Sequence, residues 1–237
     1  MERKDDGGDR GRLGEKLKFY SEIGADFVSR DELRKPATIP APAAEAPGRE
    51  SPSLDVLRER ILACRKCGLA AGRTLAVPGE GNPRAELMFV GEGPGHDEDV
   101  QGRPFVGRAG QLLTKIISAM SADRSRVFIT NIVKCRPPGN RVPHRDEVEA
   151  CAPYLLAQIE AIRPKVIVTL GKSSADFFFP DAPMAMTALR GTFRDWKGIA
   201  VMPTFHPSYL VRNEGNLALK KMVWADMQKV MARLAEK

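Results

Sequence analysis

The sequence predicts an α/β fold, a three-layer α/β/α sandwich with a central, mostly parallel four-stranded sheet. Three observations carry this reading. Four short apolar runs, Leu87–Val90, Val127–Thr130, Lys165–Leu170 and Gly198–Met202, alternate with stretches of helical period, and that alternation builds parallel sheets covered on both faces. Three of the runs deliver loops rich in glycine, proline or polar residues, which in such a sheet share one crevice at the carboxyl ends of the strands. The length, 237 residues of which 43% are apolar and 28% charged, suits one globular domain plus an appendage.

The appendage comes first. Residues 1–13 are charged and glycine-rich without periodicity and read as disordered. From Glu15 to Lys35 a weak stripe of Leu17, Tyr20, Phe27 and Leu33 suits a short amphipathic helix, which would pack on the core or dock on a protein partner. Pro36 to Pro52 is Pro/Ala-rich and reads as a stiff linker. Residues 1–52 are thus an N-terminal extension and 53–237 the folded domain.

Within the domain, Leu54, Leu57, Ile61 and Leu62 recur at helical spacing and lead into Cys64 and Cys67, after which Val77–Gly81 reads as a turn. The first strand, Leu87–Val90, delivers a long glycine-rich loop that ends at a helix marked by Leu112, Leu113, Ile116 and Ile117. The second strand delivers the polar loop Asn131–Arg141, followed by a helix from Glu147 to Ala161 that carries Cys151. The third is followed by a turn at Gly171–Ser174 and a helix starting at Ala175. The last delivers Pro203–Arg212, and a closing helix runs from about Leu217 to Leu234.

Charge narrows the partners. The first fifty residues carry 10 Lys+Arg and 11 Asp+Glu, so the remainder holds the whole basic excess, +8 against −1. A basic core is what a polyanion-binding protein needs for phosphate contacts and fast encounter. No apolar run approaches membrane-spanning length and the start lacks a hydrophobic signal region, so a cytoplasmic monomer is expected.

There are four cysteines, Cys64, Cys67, Cys135 and Cys151. Two disulfides do not suit a cytosolic chain, and Cys64-Arg-Lys-Cys67 has the spacing by which one turn presents two thiolates to a metal. A zinc ribbon would usually bring a second such pair, which is missing. An iron–sulfur cluster, a zinc site and unrelated cysteines all remain open on spacing alone.

The crevice loops hold the candidate chemistry. Glu92, Asp97, Glu98 and Asp99 sit in a Gly-Pro frame with Phe105 on the far arm; acids so crowded resist ionising together, and one of them is suited to accept a proton or hold a water. The alternative is a solvated acidic loop. A Rossmann fingerprint fits less well, because Gly91-x-Gly93 lacks its third glycine and the neighbouring acids would repel a pyrophosphate. His206, clamped between Phe205 and Pro207, suits a positioned donor, although a lone histidine is more often a structural hydrogen-bonder. Asn131 offers the donor and acceptor that reading a base edge requires, or it simply ends its strand in a turn.

Gly91-Glu92-Gly93-Pro94-Gly95 with Glu98-Asp99, Gln101–Gly107, Thr130–Pro138 and His206–Leu210 closely resemble the family 4 uracil-DNA glycosylases, the iron–sulfur branch of their superfamily. The resemblance covers about residues 53 to 235. It implies a DNA repair enzyme that hydrolyses the N-glycosidic bond of uracil in DNA, releases free uracil and leaves an abasic site, the first step of base-excision repair. It also implies that Cys64, Cys67, Cys135 and Cys151 hold a 4Fe-4S cluster of structural role. Phe105 would stack on a flipped-out uracil, Asn131 would bond its polar edge, and backbone near Glu92 and Gly93 would complete the pocket. His206 would donate at the uracil O2 side. Glu98 or Glu92 would orient the water with help from Asn140; the better-known uracil-DNA glycosylases carry an aspartate in this motif where the chain has Gly93. Leu210 or Arg212 would fill the gap left in the DNA, with Arg136, Arg141, Lys172 and Arg212 as phosphate contacts.

Two other functions compete. A non-turnover or covalent uracil-DNA-binding protein would match a related branch that has a basic, histidine-containing insertion after the asparagine motif, whereas here Gly139-Asn140-Arg141-Val142-Pro143 runs on without one. A nucleotide-binding regulator with a redox-sensing cluster would need nucleotide affinity, which the acidic loop does not suggest.

Overall fold

The four apolar runs become strands because they are buried on both faces, the last of them from Val201 onward, an environment that suits β-branched and other apolar residues and leaves no polar side to a parallel sheet. The computed structural model describes residues 53–182 and 184–236; the expected helix at 15–35 and the linker lie outside them. In chain order the elements are α1 (Leu54–Leu62), α2 (Leu69–Gly72), β1 (Glu80–Gly81), β2 (Leu87–Gly91), α3 (His96–Gln101), α4 (Arg108–Ala119), β3 (Phe128–Asn131), a 3-10 turn at Pro138–Asn140 and α5 (Arg145–Ile162). Then follow β4 (Val166–Leu170), α6 (Lys172–Phe178), α7 (Met186–Leu189), β5 (Arg194–Trp196), β6 (Ile199–Thr204), α8 (Pro207–Arg212) and α9 (Leu217–Ala235).

The sheet has six strands, not four, in the order β1-β3-β2-β4-β6-β5. The inner four are parallel as expected, and the two extra strands pair antiparallel at the edges. Both are too short and too polar to leave a period in the sequence. β1 is Glu80-Gly81, inside the stretch read as a turn. β5 is joined to β6 by Lys197-Gly198, both at positive φ (52° and 83°), as a two-residue hairpin of the twist-matched kind requires. Lysine at the first of these positions hides the usual Asn-Gly signal.

Alternate residues of each strand feed two cores. Leu87 and Phe89 pack with Leu113, Ile117, Met227 and Val230 from α4 and α9 on one face. Met88 and Val90 pack with Ile61, Leu155 and Ile159 from α1 and α5 on the other. These are the three expected layers. Among the described residues no helix is long and apolar enough to cross a membrane.

The topology positions the site. From β2 the chain moves to β3 on one side, then α5 carries it back to β4 on the other, so the strand order reverses between β2 and β4. Loops leaving the carboxyl ends of two such strands diverge and open a crevice. Glu92 and Gly171 follow directly on those two strand ends.

Candidate active site and cysteine cavity

The crevice is a cleft of about 490 Å³ lined by Glu92, Gly93, Glu98, Phe105, Asn140, Lys172, Ser173, His206 and Arg212, among others. It gathers residues from the loops after β2, β3, β4 and β6, so the convergence expected from topology is present.

Phe105 is built in from several sides. Its backbone takes a left-handed conformation (φ 52°), and Arg124 holds it there by donating to the carbonyls of Phe105 (3.1 Å) and Pro104 (2.6 Å) while paired with Glu80 at 2.7 Å. A side chain at Gly110 would lie 1.8 Å from the Phe105 carbonyl oxygen, so glycine is required at that position. The ring lies 5.7 Å from that of His206, centroid to centroid, and its edge faces Gly91, where an added Cβ would approach Phe105 Cζ to 2.6 Å and Asn131 Oδ1 to 2.4 Å. Phe105 and Asn131 thus meet across a glycine. Asn131 is buried at the end of β3, and its Oδ1 has no hydrogen-bond partner among the described residues. A buried acceptor left unpaired costs on the order of 1–3 kcal/mol unless something supplies a donor.

His206 caps α8, and its Nδ1 accepts from the backbone N–H of Ser208 at 3.0 Å, with the Ser208 hydroxyl 2.7 Å away. A backbone donor cannot be turned around. Nδ1 is therefore the lone-pair nitrogen, and the neutral ring carries its proton on Nε2. Burial, and secondarily the nearby Arg212, lower the pKa of His206 to about 4, so the ring is neutral near pH 7.

The acids separate by role. Glu98 Oε1 accepts from the amides of Val106 (2.8 Å) and Gly107 (3.0 Å), and Oε2 from Gly95 (3.1 Å), so this carboxylate ties both arms of the glycine loop together. Asp99 is buried and accepts from the Thr74 amide at 3.0 Å. Asp97 is exposed. Glu92 lines the cleft with its carboxylate held by the Ser173 hydroxyl. Glu98→Ala is expected to cost about 1–2 kcal/mol of stability, the range for losing a side-chain cap, together with activity. Glu92→Gln is expected to lower the rate with the melting temperature unchanged. Thermal melts and rates on the two variants check this pair.

The basic candidates divide similarly. Arg141 is committed to both oxygens of the buried Glu147 at 2.9 and 2.7 Å. Arg136 donates to Asn140 Oδ1 at 2.7 Å, so that acceptor is already engaged. Lys172 pairs with Asp176 in the open. Arg212 is exposed and donates to the Ser208 hydroxyl at 3.4 Å. Leu210, expected among the residues that fill a gap in DNA, is 2% exposed and packs in the core, because α8 turns this side chain toward α4 and α9. At Gly93 an added Cβ would meet Val133 Cγ2 at 2.8 Å, so a side chain has little room at this position.

The four cysteines line a second, smaller cavity between α1, α2, the loop after β3 and α5, and all four thiols are free. Arg73 donates to Cys135 Sγ at 2.9 Å and the Lys134 amide to Cys151 Sγ at 3.3 Å. Burial pushes the Cys151 thiol up to about 11, against the pull of Lys134. Among the described residues no three His, Cys, Asp or Glu side chains converge tightly enough for a single ion, which would need bonds of about 2.3 Å from every sulfur. Lys134 joins the two sites: its buried Nζ donates to the Asn131 carbonyl (2.7 Å), Thr130 Oγ1 (2.6 Å) and Gln158 Oε1 (2.8 Å).

Ser173, Ser208, Arg124 and Lys134 were not legible as site residues. Ser208 had a local signal, a hydroxyl two residues after a Pro-flanked histidine at a helix start; Arg124 had none, since its partners lie 10 to 44 residues away in sequence.

Residues 78–228 match the sequence model of the uracil DNA glycosylase superfamily. The chain belongs to that superfamily. It is 46% identical over 193 residues to the type-4 uracil-DNA glycosylase of Saccharolobus solfataricus, covering 78% of this chain and 88% of the relative. It is 49% identical over 177 residues to the type-4 uracil-DNA glycosylase of Thermotoga maritima, covering 74% and 92%. Similarity to the type-5 uracil-DNA glycosylase of Pyrobaculum aerophilum is lower, 32% over 162 residues, covering 62% and 71%. The family resemblance expected from the motifs is therefore established.

Proposed function

We propose that this chain is a DNA repair enzyme that removes uracil from DNA by hydrolysing its N-glycosidic bond. The observation that carries the reading is the buried Asn131 amide oxygen, without a partner among the described residues, beside the ring of Phe105, which lines the cleft together with a neutral His206. Uracil presents a donor, N3–H, between two carbonyl acceptors, and an asparagine amide offers the complementary acceptor and donor. Phe105 provides the stacking face. Breaking the C1′–N1 bond leaves the electron pair on the base, with charge shared by N1 and O2, and positive character on the sugar. The His206 Nε2 proton is suited to stabilise the developing oxyanion. Glu92, held by Ser173, is suited to orient the water that adds to C1′ and to offset the cationic sugar; Glu98 is occupied with backbone amides. Products are free uracil and an abasic site.

The cysteine cavity suits a 4Fe-4S cluster: four thiols, each able to bind one iron, with Arg73 and Lys134 to balance the negative charge of four thiolates. The cluster would supply cross-linking, not chemistry on DNA, joining α1, the loop after β3 and α5. Through Lys134 that loop also holds the Asn131 backbone.

A labelled oligonucleotide that contains one uracil, incubated in excess over the protein and then treated with alkali, tests the function. Alkali-dependent cleavage at the uracil over many turnovers is expected; a denaturation-resistant protein–DNA band would make the chain a covalent trap, and an intact strand would refute the reading. Phe105→Ala should weaken binding of free uracil by roughly the 1–3 kcal/mol typical of base stacking, measured by calorimetry.

A further inference from the structure

We propose that Val142 is the wedge that enters the duplex where a base has been turned out into the cleft; the proposal rests on the uracil-DNA reading of that cleft. Turning a base out leaves an unstacked gap, and proteins that hold DNA open fill such gaps with apolar side chains. The side chain must be apolar, exposed, at the mouth of the base pocket and on backbone already ordered, since ordering a loose loop on binding would consume the gain.

Val142 meets all four conditions. At 63% it is the most exposed large apolar side chain among the described residues, and of the exposed ones it alone lines the cleft. Its backbone is tied on both sides. Arg141, fixed on Glu147, also donates to the Val142 carbonyl at 3.1 Å, and Glu147 accepts from the His144 amide at 2.7 Å. Upstream, the Asn140 and Arg141 amides close onto the Pro137 and Pro138 carbonyls at 3.0 and 3.2 Å, and Pro143 restricts Val142 from the other side.

Of the competing residues Arg212, exposed at the cleft, is charged and fails the first condition, and the apolar ones fail on position. Leu210 is in the core. Tyr209 is exposed, but it does not line the cleft and its ring rests on Phe205, centroids 5.4 Å apart.

The test compares one sequence with its uracil in a single strand, opposite guanine and opposite adenine, an order in which the cost of extracting the base rises. Single-turnover rates are measured for the full chain, V142A, V142L and Y209A, with 2-aminopurine beside the uracil reporting unstacking. For V142A the ratio of the U:A rate to the single-strand rate should fall about tenfold and the U:G ratio by less, with the 2-aminopurine signal reduced in step and V142L restoring both. An equal fall on all three substrates, no fall on any, or the graded loss in Y209A instead would overturn the proposal. If the unaltered chain removes uracil from none of the three, the functional reading itself fails, a result distinct from any behaviour of V142A.

Discussion

Replacing His206 by alanine is expected to lower the rate of uracil removal by about 10²- to 10³-fold, the range for losing one preorganised donor to a developing oxyanion. Binding of uracil-containing DNA should change much less, because the donor matters most when charge has formed on O2. The protonation state adds a second test. The ring is held below its ordinary 6.5, at about 4, by burial and Arg212, and its Nδ1 is occupied by the Ser208 amide. The neutral form therefore persists down to about pH 5 and is lost as pH falls through about 4. The pH–rate profile should show no inflection from His206 near 6.5, and an NMR titration of the three histidines should find one that does not charge there. Stability carries the same sign: as pH falls from about 6.5 toward 4 the unfolded chain takes up a proton that the folded ring refuses, so His206 destabilises the fold across that window. A His206 that titrates near 6.5 would contradict the assigned hydrogen bonding.

Cys64→Ala is expected to abolish the visible absorption of the proposed iron–sulfur cluster and lower the melting temperature by on the order of 10 °C, since a few kcal/mol shifts a domain of this size by that much. The damage should be local at first. α1 reaches the body through buried Leu57 and Ile61 and through the Tyr154 hydroxyl, which donates to the Arg60 carbonyl at 3.4 Å, while Cys64 and Cys67 follow directly on its carboxyl end. Without the cluster, cleavage by trypsin should concentrate at Arg58, Arg60, Arg65 and Lys66. His206→Ala is expected to leave that absorption and the trypsin resistance unchanged. Iron and sulfide analysis, absorption and limited proteolysis separate the two variants, and absorption that survives loss of Cys64 would refute the ligand assignment.

The four parallel strands and the long helices were legible because burial on two faces demands continuous apolar runs and burial on one helical face demands a 3.6-residue period; Leu87–Val90 and Leu112–Ile117 show both. The crevice was legible as well, since topology alone brings strand carboxyl ends together. Edge strands were not, because β1 and β5 are stabilised by hydrogen bonds to a neighbour and need no apolar pattern of their own.

Residue type and order were enough to single out His206, Asn131 and the Cys64/Cys67 pair, because the chemistry they suit depends on functional groups that can be named from the sequence; the roles of Phe105 and of the four cysteines together came from the family resemblance. Which group is free to act depends on what surrounds it in space. Glu98 and Glu92 are indistinguishable as letters; three backbone amides occupy one, and a serine eighty-one residues away holds the other in the cleft. Arg141 and Arg212 are both arginines beside a pocket, yet only the first is consumed by a buried glutamate. Leu210 and Val142 are both apolar residues in segments that follow sheet strands, yet the turn of one short helix puts the first in the core, while the loop after β3 leaves the second in water. Hydrogen-bond partners and solvent exposure are properties of contacts between distant segments, and those contacts exist only once the sheet has drawn the segments together.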